Sequence, residues 1–248
     1  MRNYNLGFIS DTDIFKHVKE TAEKYRFGIN LTEFNKNIID PIKLTFDAKI
    51  YNKTVQDVVE AEILRQLDKS NTNHIGYFHQ NIFRYIGGGD WYVPPSGFDI
   101  ANDRLKIYVE MKNKHNTMNS SSSQKTYMRM QAKLIKESTA TCMLVEVIAT
   151  KSRNIRWSIS LDGVNHSNDS IRRVSIDQFY ALITGDEFAF KKLCEKLTII
   201  IEDVVAAIND RTSVNTVFQE LEKISPNLSK SLYLLAFKKY QGFDSFNL

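Results

Sequence analysis

The sequence predicts an α/β fold with a mixed central β-sheet flanked by helices and a helical C-terminal part. Three observations indicate the mixed sheet and its helices. Residues 139–149 are almost continuously apolar, which is typical of a strand covered on both faces. Residues 104–111 alternate in polarity and are rich in β-branched and aromatic side chains. Helical periodicity dominates both ends of the chain.

The N-terminal part, residues 1–70, is predicted to be helical. Amphipathic periodicity indicates helices over residues 12–26 and 54–68. Residues 31–50 are helical with a break before Pro41, because a residue that precedes proline avoids the helical conformation.

The predicted α/β core covers residues 74–185. Its first segment, 74–98, is rich in aromatic and turn residues, which indicates two short strands or loops that lead into the sheet. Strands follow at 104–111, 139–149 and 155–161, with a helix at 122–137. The chain then turns helical, with predicted helices at 176–184, 186–209, 213–224 and 228–240; the C-terminal helical part is 186–248.

Composition and length indicate a single globular domain over residues 1–248, since 42% of the residues are hydrophobic and 25% are charged. No apolar run approaches about 18 residues, so no membrane span is expected. The N-terminus lacks the apolar segment of a secretory signal. Cys142 and Cys194 are expected to be buried free thiols, which suits the reducing cytoplasm. The net charge of +4 permits a polyanionic partner but does not demonstrate one.

Two carboxylates and a lysine surround the strand at 104–111. Glu110 and Lys112 are two residues apart and point to the same side of a strand. A hairpin-like bend through Asn102 and Asp103 would bring Asp99 back beside Glu110. Two carboxylates with the carbonyl of Met111 between them form a hard-cation site that suits Mg²⁺. With a lysine to orient water, this set is suited to metal-assisted phosphodiester hydrolysis.

The pattern of Asp99, ten intervening residues and then Glu110-Met111-Lys112 resembles the PD-(D/E)XK nuclease superfamily, which includes most type II restriction endonucleases. It departs from that pattern in one position, because Phe98 stands where the superfamily often has proline. The segment "NKHNTMNSSSSQKTYMRM" is similar to that of restriction enzymes cutting GGNCC sites, and "SIDQFYALITGDEFAFKKL" resembles a region after their core sheet.

The resemblance implies a restriction-endonuclease-like core, with residues 74–185 as the catalytic core of a single nuclease domain. It also implies a Mg²⁺-dependent type II restriction endonuclease that cuts both strands of a short palindromic site and leaves a 5′ phosphate. Asp99, Glu110 and the Met111 carbonyl would bind the metal, and Lys112 would position water. Glu62, which interrupts the apolar face of its helix, is a candidate outer ligand. A two-fold symmetric site implies a homodimer, and the host needs a cognate DNA methyltransferase to protect its own genome.

The polar segment after Lys112 is predicted to contact double-stranded DNA, because amides, hydroxyls and lysines reach phosphates and base edges. A cationic stripe on the following helix, which includes Lys133 and Lys136, suits a DNA backbone. The predicted DNA-binding residues are Asn113, Lys114, His115, Asn116, Asn119, Ser120, Ser121, Ser122, Lys125 and Arg129.

Two alternatives remain open at the level of the sequence. One is a nuclease of the same superfamily that acts in repair or on junctions without reading a sequence. The other is a DNA-binding protein that does not cut.

Overall fold

The computed structural model describes residues 2–161, 163–208, 215–240 and 243–246. The chain forms two compact units. The first comprises residues 1–23 and 75–207, and the second comprises 24–74 and 208–248.

The first unit contains a five-stranded mixed sheet of spatial order β1-β2-β3-β5-β4. Its strands are β1 (Ile100–Asn102), β2 (Ile107–Lys114), β3 (Thr141–Ile148), β4 (Asn154–Leu161) and β5 (Val164–Ser175). The central strands β2, β3 and β5 run parallel, and the edge strands β1 and β4 are antiparallel to their neighbours. The predicted mixed sheet is therefore confirmed.

Helix α5 (Ser120–Lys136) connects β2 to β3 and covers one face of the sheet. Its buried side chains Tyr127 and Met130 pack on Tyr108, Leu144 and other apolar residues of the strands. The ring of Tyr127 also meets the ring of Trp157 edge to face at 5.3 Å. A parallel pair of strands needs such a crossover, and the helix that provides it buries the face on which Glu110 lies.

The opposite face of the sheet is covered by helix α6 (Ile176–Thr184), which contacts β3 and β5. Helices α1 (Asp11–Ala22) and α7 (Ala189–Ala207) pack on each other in the same unit. Both faces of β3 are thus covered, which explains its nearly continuous run of buried residues.

The second unit is helical. It contains α2 (Leu31–Asn35), α3 (Pro41–Ile50), α8 (Val217–Ile224) and α9 (Leu228–Phe237). It also contains most of α4 (Val55–Asn81), within which the division between the units falls. Phe34, Val59 and Leu221 are among the fully buried side chains of its core. The predicted break before Pro41 is confirmed, with Asp40 capping α3 and Pro41 in its first turn.

Three sequence-based expectations were wrong. Residues 74–81 continue α4 instead of forming a strand or loop, and two 3₁₀ turns follow. Strand β5 was predicted as neither strand nor helix, although it is the longest strand described. Cys142 is buried as expected, but Cys194 is exposed because it faces outward from α7; both are free thiols. The part of the predicted helices that falls on 209–214 lies outside the described residues.

Candidate active site

A tight turn between β1 and β2 brings Asp99 beside the strand that carries Glu110. The side chain of Asn102 accepts a 2.8 Å hydrogen bond from the amide of Leu105, and Lys106 adopts a φ of 55° to complete the turn. Ile100 therefore pairs with Val109, and the amide of Asp99 donates to the Val109 carbonyl at 2.8 Å. The bend predicted from Asn102 and Asp103 is confirmed.

Asp99 is half-buried and is held by the backbone of β2. Its Oδ2 accepts a 2.7 Å hydrogen bond from the amide of Met111. Burial raises the pKa of this carboxyl, and repulsion from Glu110 raises it further. The Met111 hydrogen bond and the positive charges of Lys112 and Arg129 act in the opposite direction but do not cancel the effect.

Glu110 is only 8% exposed and has a cation on each carboxylate oxygen. Lys112 donates to Oε1 at 2.7 Å, and the guanidinium of Arg129 donates to Oε2. Arg129 also lies over the ring of Phe98, at 5.4 Å from its centroid. Residues 110 and 112 share one face of β2. Asp99, Glu110 and Lys112 therefore lie close together, as predicted.

The donor set fits a divalent metal. The side-chain donors of Asp99 and Glu110 are carboxylate oxygens, which Mg²⁺ prefers, and the Met111 carbonyl belongs to the residue between Glu110 and Lys112. The negative charge of Glu110 adds to the effect of burial in raising the pKa of Asp99, so the two carboxylates repel each other. A bound divalent cation would relieve that repulsion. Among the described residues, no three His, Cys, Asp or Glu side chains converge on a metal position.

Glu62 lies on α4 in the second unit and is engaged by its own helix. Arg65 donates to both of its carboxylate oxygens, at 2.6 and 2.7 Å, and Gln66 donates to Oε1 at 2.9 Å. Burial would raise the pKa of Glu62, but these hydrogen bonds outweigh it and lower the pKa. The role of Glu62 as an outer ligand stays a prediction.

The segment between β2 and α5 carries most of the predicted DNA-binding residues, and it is largely exposed. Lys114, His115, Asn116, Asn119, Ser120, Ser121 and Lys125 are exposed, while Asn113, Ser122 and Arg129 are partly buried. Asn119 and Ser122 are used locally, because the Asn119 side chain caps α5 by accepting the Ser122 amide at 2.8 Å.

The predicted cationic stripe of α5 does not face solvent uniformly. Arg129 turns toward Glu110, and Lys133 lies over the ring of Tyr108 at 3.8 Å while it pairs with Glu137 at 3.0 Å. Of the four cations in the stripe, Lys125 and Lys136 are exposed, whereas Arg129 and Lys133 are partly buried.

One buried carboxylate beside the site was missed from the sequence. Glu146 on β3 is 1% exposed and pairs with both Arg153 and Arg173. The available signal was a single carboxylate inside the apolar run 139–149, since a charge in a buried strand needs a partner.

A mixed sheet with two carboxylates and a lysine at a β1–β2 hairpin defines a nuclease of the restriction-endonuclease-like class. Residues 6–206 match the model of the Eco47II restriction endonuclease family. The chain is 36% identical to the type II restriction enzyme Sau96I of Staphylococcus aureus over 214 residues, 82% of each chain. It is 28% identical to the type II restriction enzyme Eco47II of Escherichia coli, over 81% of this chain and 88% of that protein. The chain belongs to the Eco47II restriction endonuclease family.

None of the helices in the described part of the chain combines the length and the apolar character that crossing a membrane requires.

Proposed function

We propose that this protein is a Mg²⁺-dependent type II site-specific endonuclease that hydrolyses both strands of DNA at a short palindromic site of the GGNCC kind. Membership of the Eco47II family supports the endonuclease class, and the likeness of the segment after Lys112 supports the sub-group. The protein would act in the cytoplasm as a homodimer formed by single-domain chains. A cognate methyltransferase would protect the host DNA.

The observation that carries the proposal is the pairing of Asp99 with the strand of Glu110 and Lys112. Asp99, Glu110 and the Met111 carbonyl would hold the metal, with Glu62 as a candidate outer ligand. Bound Mg²⁺ would supply Lewis acidity, which lowers the pKa of water and stabilises charge on the phosphate. The hydrogen bond from Met111 keeps one Asp99 oxygen in place before any ligand binds.

Lys112 has the position to act on the attacking water. Its ammonium is 2.7 Å from Glu110, and its side chain is 31% exposed, so it faces the site and remains accessible to a substrate. A cation there orients water and offsets charge that develops on the phosphate oxygens. The exposed amides and hydroxyls of residues 113–122 would contact phosphates and base edges of the DNA.

The test is incubation of the purified protein with unmethylated phage DNA and Mg²⁺. Discrete bands that map to a GGNCC-like site would support the proposal. Smearing or nicking that depends on DNA structure would instead indicate a nuclease without sequence specificity. DNA that is bound but intact would indicate a protein that does not cut.

The variant that tests the site is Glu110→Ala, which should abolish cutting and leave DNA binding in place. Its matched control is a glutamate outside the site. Glu60→Ala, an exposed glutamate on α4, should cut like the parent protein. Persistent cleavage by the Glu110 variant would refute the site assignment.

A further inference from the structure

The cluster around Glu146 has one more positive charge than its own neutrality requires. Oε1 of Glu146 accepts hydrogen bonds from Arg173, from Nε at 2.9 Å and from a terminal nitrogen at 2.5 Å, and Oε2 accepts from Arg153. A buried carboxylate needs one cation to balance it, and buried ion pairs contribute little net stability. A second arginine on the same carboxylate therefore calls for a role beyond stability.

The cluster lies beside β2, on the face of the sheet that carries Glu110 and Lys112. Glu146 pairs directly with Lys112 in the parallel register of β2 and β3. Arg173 is opposite Leu144, the neighbour of Glu110, one strand further along. Paired residues of adjacent strands point to the same side, so Arg173 is on the face that carries Glu110. It is about two strand spacings, or roughly 10 Å, from β2.

Arg173 is also tied to the segment predicted to contact DNA. It donates to the carbonyl of His115 at 3.4 Å, and the amide of His115 donates to Ile148 at 3.0 Å. The Arg173 side chain is 29% exposed, whereas that of Arg153 is 12% exposed. Arg173 is therefore the member of the cluster that a ligand can reach.

We propose that Arg173 binds a phosphate of the DNA backbone beside the cleavage site, and that Glu146 and Arg153 are positioning residues that hold its guanidinium in place. The planar guanidinium fork matches a phosphate, and fixing it in advance lowers the entropy lost on binding. The inference rests on the proposed function, because it names a further contact for the same DNA substrate.

The chain offers a matched control in the adjacent residue. Arg172 lies on the opposite face of β5, where it donates to the side-chain oxygen of Asn154 at 3.0 Å and to the Asn154 carbonyl at 2.6 Å. Arg172→Met and Arg173→Met thus remove the same charge from the same strand, but on different faces of the sheet.

The experiment measures binding of a labelled duplex that contains a GGNCC site, without divalent metal and over a range of salt concentrations. Arg173→Met should weaken binding about tenfold and reduce the salt slope by about 0.9, as expected for one lost phosphate contact. Arg172→Met should retain the parental slope. In cleavage assays, KM of the Arg173 variant should rise more than kcat falls.

Glu146→Gln tests the positioning role, since it keeps the size of the side chain but loses its charge. It should weaken duplex binding and increase amide hydrogen exchange over residues 113–117. Unchanged binding and exchange in this variant would overturn the positioning role.

An Arg173→Met variant with the parental affinity and salt slope would overturn the phosphate contact, even if the parent protein cuts at discrete sites. A parent protein that neither binds nor cuts the duplex would overturn the proposed function itself. If Arg173→Met does not fold, Arg173→Lys decides, because it keeps the charge but loses the fork. An Arg173→Lys variant with the parental salt slope but several-fold weaker duplex binding would support the contact. The parental duplex affinity in this variant would exclude it.

Discussion

The backbone amide of Met111 donates a 2.7 Å hydrogen bond to the carboxylate of Asp99, and this bond fastens the first carboxylate of the site to the strand that carries the second. The arrangement holds two mutually repelling carboxylates together in a partly buried place. Burial and the charge of Glu110 raise the pKa of Asp99, so its ionised form is less stable in the folded protein than in the unfolded chain.

Asp99→Asn should therefore stabilise the metal-free protein while it destroys cleavage. A raised carboxyl pKa favours folding below the ordinary pKa of about 3.9, and this contribution is lost as the pH rises through the raised value. The variant should show a larger free energy of unfolding than the parent at pH 7, with the gain shrinking in acid. Cleavage should fall by at least about a hundredfold, because one of the proposed metal ligands is lost.

Chemical denaturation at several pH values and plasmid cleavage measure these two effects. Asp169→Asn is the matched control, since the Asp169 side chain is 85% exposed on β5. Its free energy of unfolding should stay within about 0.5 kcal/mol of the parent. An Asp99 variant that is less stable than the parent at pH 7 would contradict the electrostatic account.

Arg129→Met should strengthen binding of Mg²⁺ in the absence of DNA. The guanidinium of Arg129 occupies one oxygen of Glu110, so a metal must compete with it for that carboxylate. Breaking a charged hydrogen bond costs about 1.5 kcal/mol. A metal that no longer has to break this bond should therefore bind roughly tenfold more tightly. Titration calorimetry with Mg²⁺ measures the change. Lys125→Met, on the exposed side of the same helix, should leave the affinity as it is.

The site could be predicted where its residues are close in the chain, and not where tertiary packing brings them together. Asp99 and Glu110 flank one hairpin, so their proximity follows from a local turn. Arg129 reaches Glu110 only because α5 packs across the sheet, which its helical spacing alone does not reveal. Strand β5 was missed because its first half is polar and exposed and pairs only with β4, so it lacks the pattern of a buried strand.

Glu62→Gln tests whether this residue belongs to the metal site. If Glu62 is an outer ligand, the variant should bind Mg²⁺ several-fold more weakly, because a neutral amide attracts a divalent cation less than a carboxylate does. Glu60→Gln is the control on the same helix, and its Mg²⁺ affinity should match that of the parent. Equal Mg²⁺ affinity of the two variants would show that Glu62 is not a metal ligand and serves only its hydrogen bonds with Arg65 and Gln66.

Gly87→Ala should destabilise the protein more than Gly88→Ala does. Both glycines have positive φ values, of 71° and 76°, so each alanine costs about 1–2 kcal/mol of backbone strain. At Gly87 the added Cβ would also lie 3.0 Å from the Trp91 ring and 3.1 Å from Ile183, whereas nothing lies within 4 Å at Gly88. Thermal unfolding should show the larger loss for Gly87→Ala, and equal losses would mean that Trp91 moves aside without cost.

His79 should make the stability of the protein depend on pH below neutrality. Burial, together with a smaller contribution from the charge of the nearby His17, lowers the pKa of His79 from its ordinary value of 6.5 to about 4. The folded form therefore takes up the proton less readily than the unfolded chain. The contribution of neutral His79 to the free energy of unfolding is fully present above about pH 6.5 and is lost as the pH decreases toward 4. In stronger acid this group causes no further change.

The loss over that interval should amount to a few kcal/mol, since each pKa unit corresponds to about 1.4 kcal/mol. Denaturant unfolding of the parent and of His79→Gln, measured between pH 4 and pH 7, gives the two slopes. The variant should lack the part of the slope that His79 contributes, whereas His166→Gln, on the exposed β4–β5 ribbon, should keep it. A His79→Gln variant with the parental slope would show that another group governs the acid sensitivity.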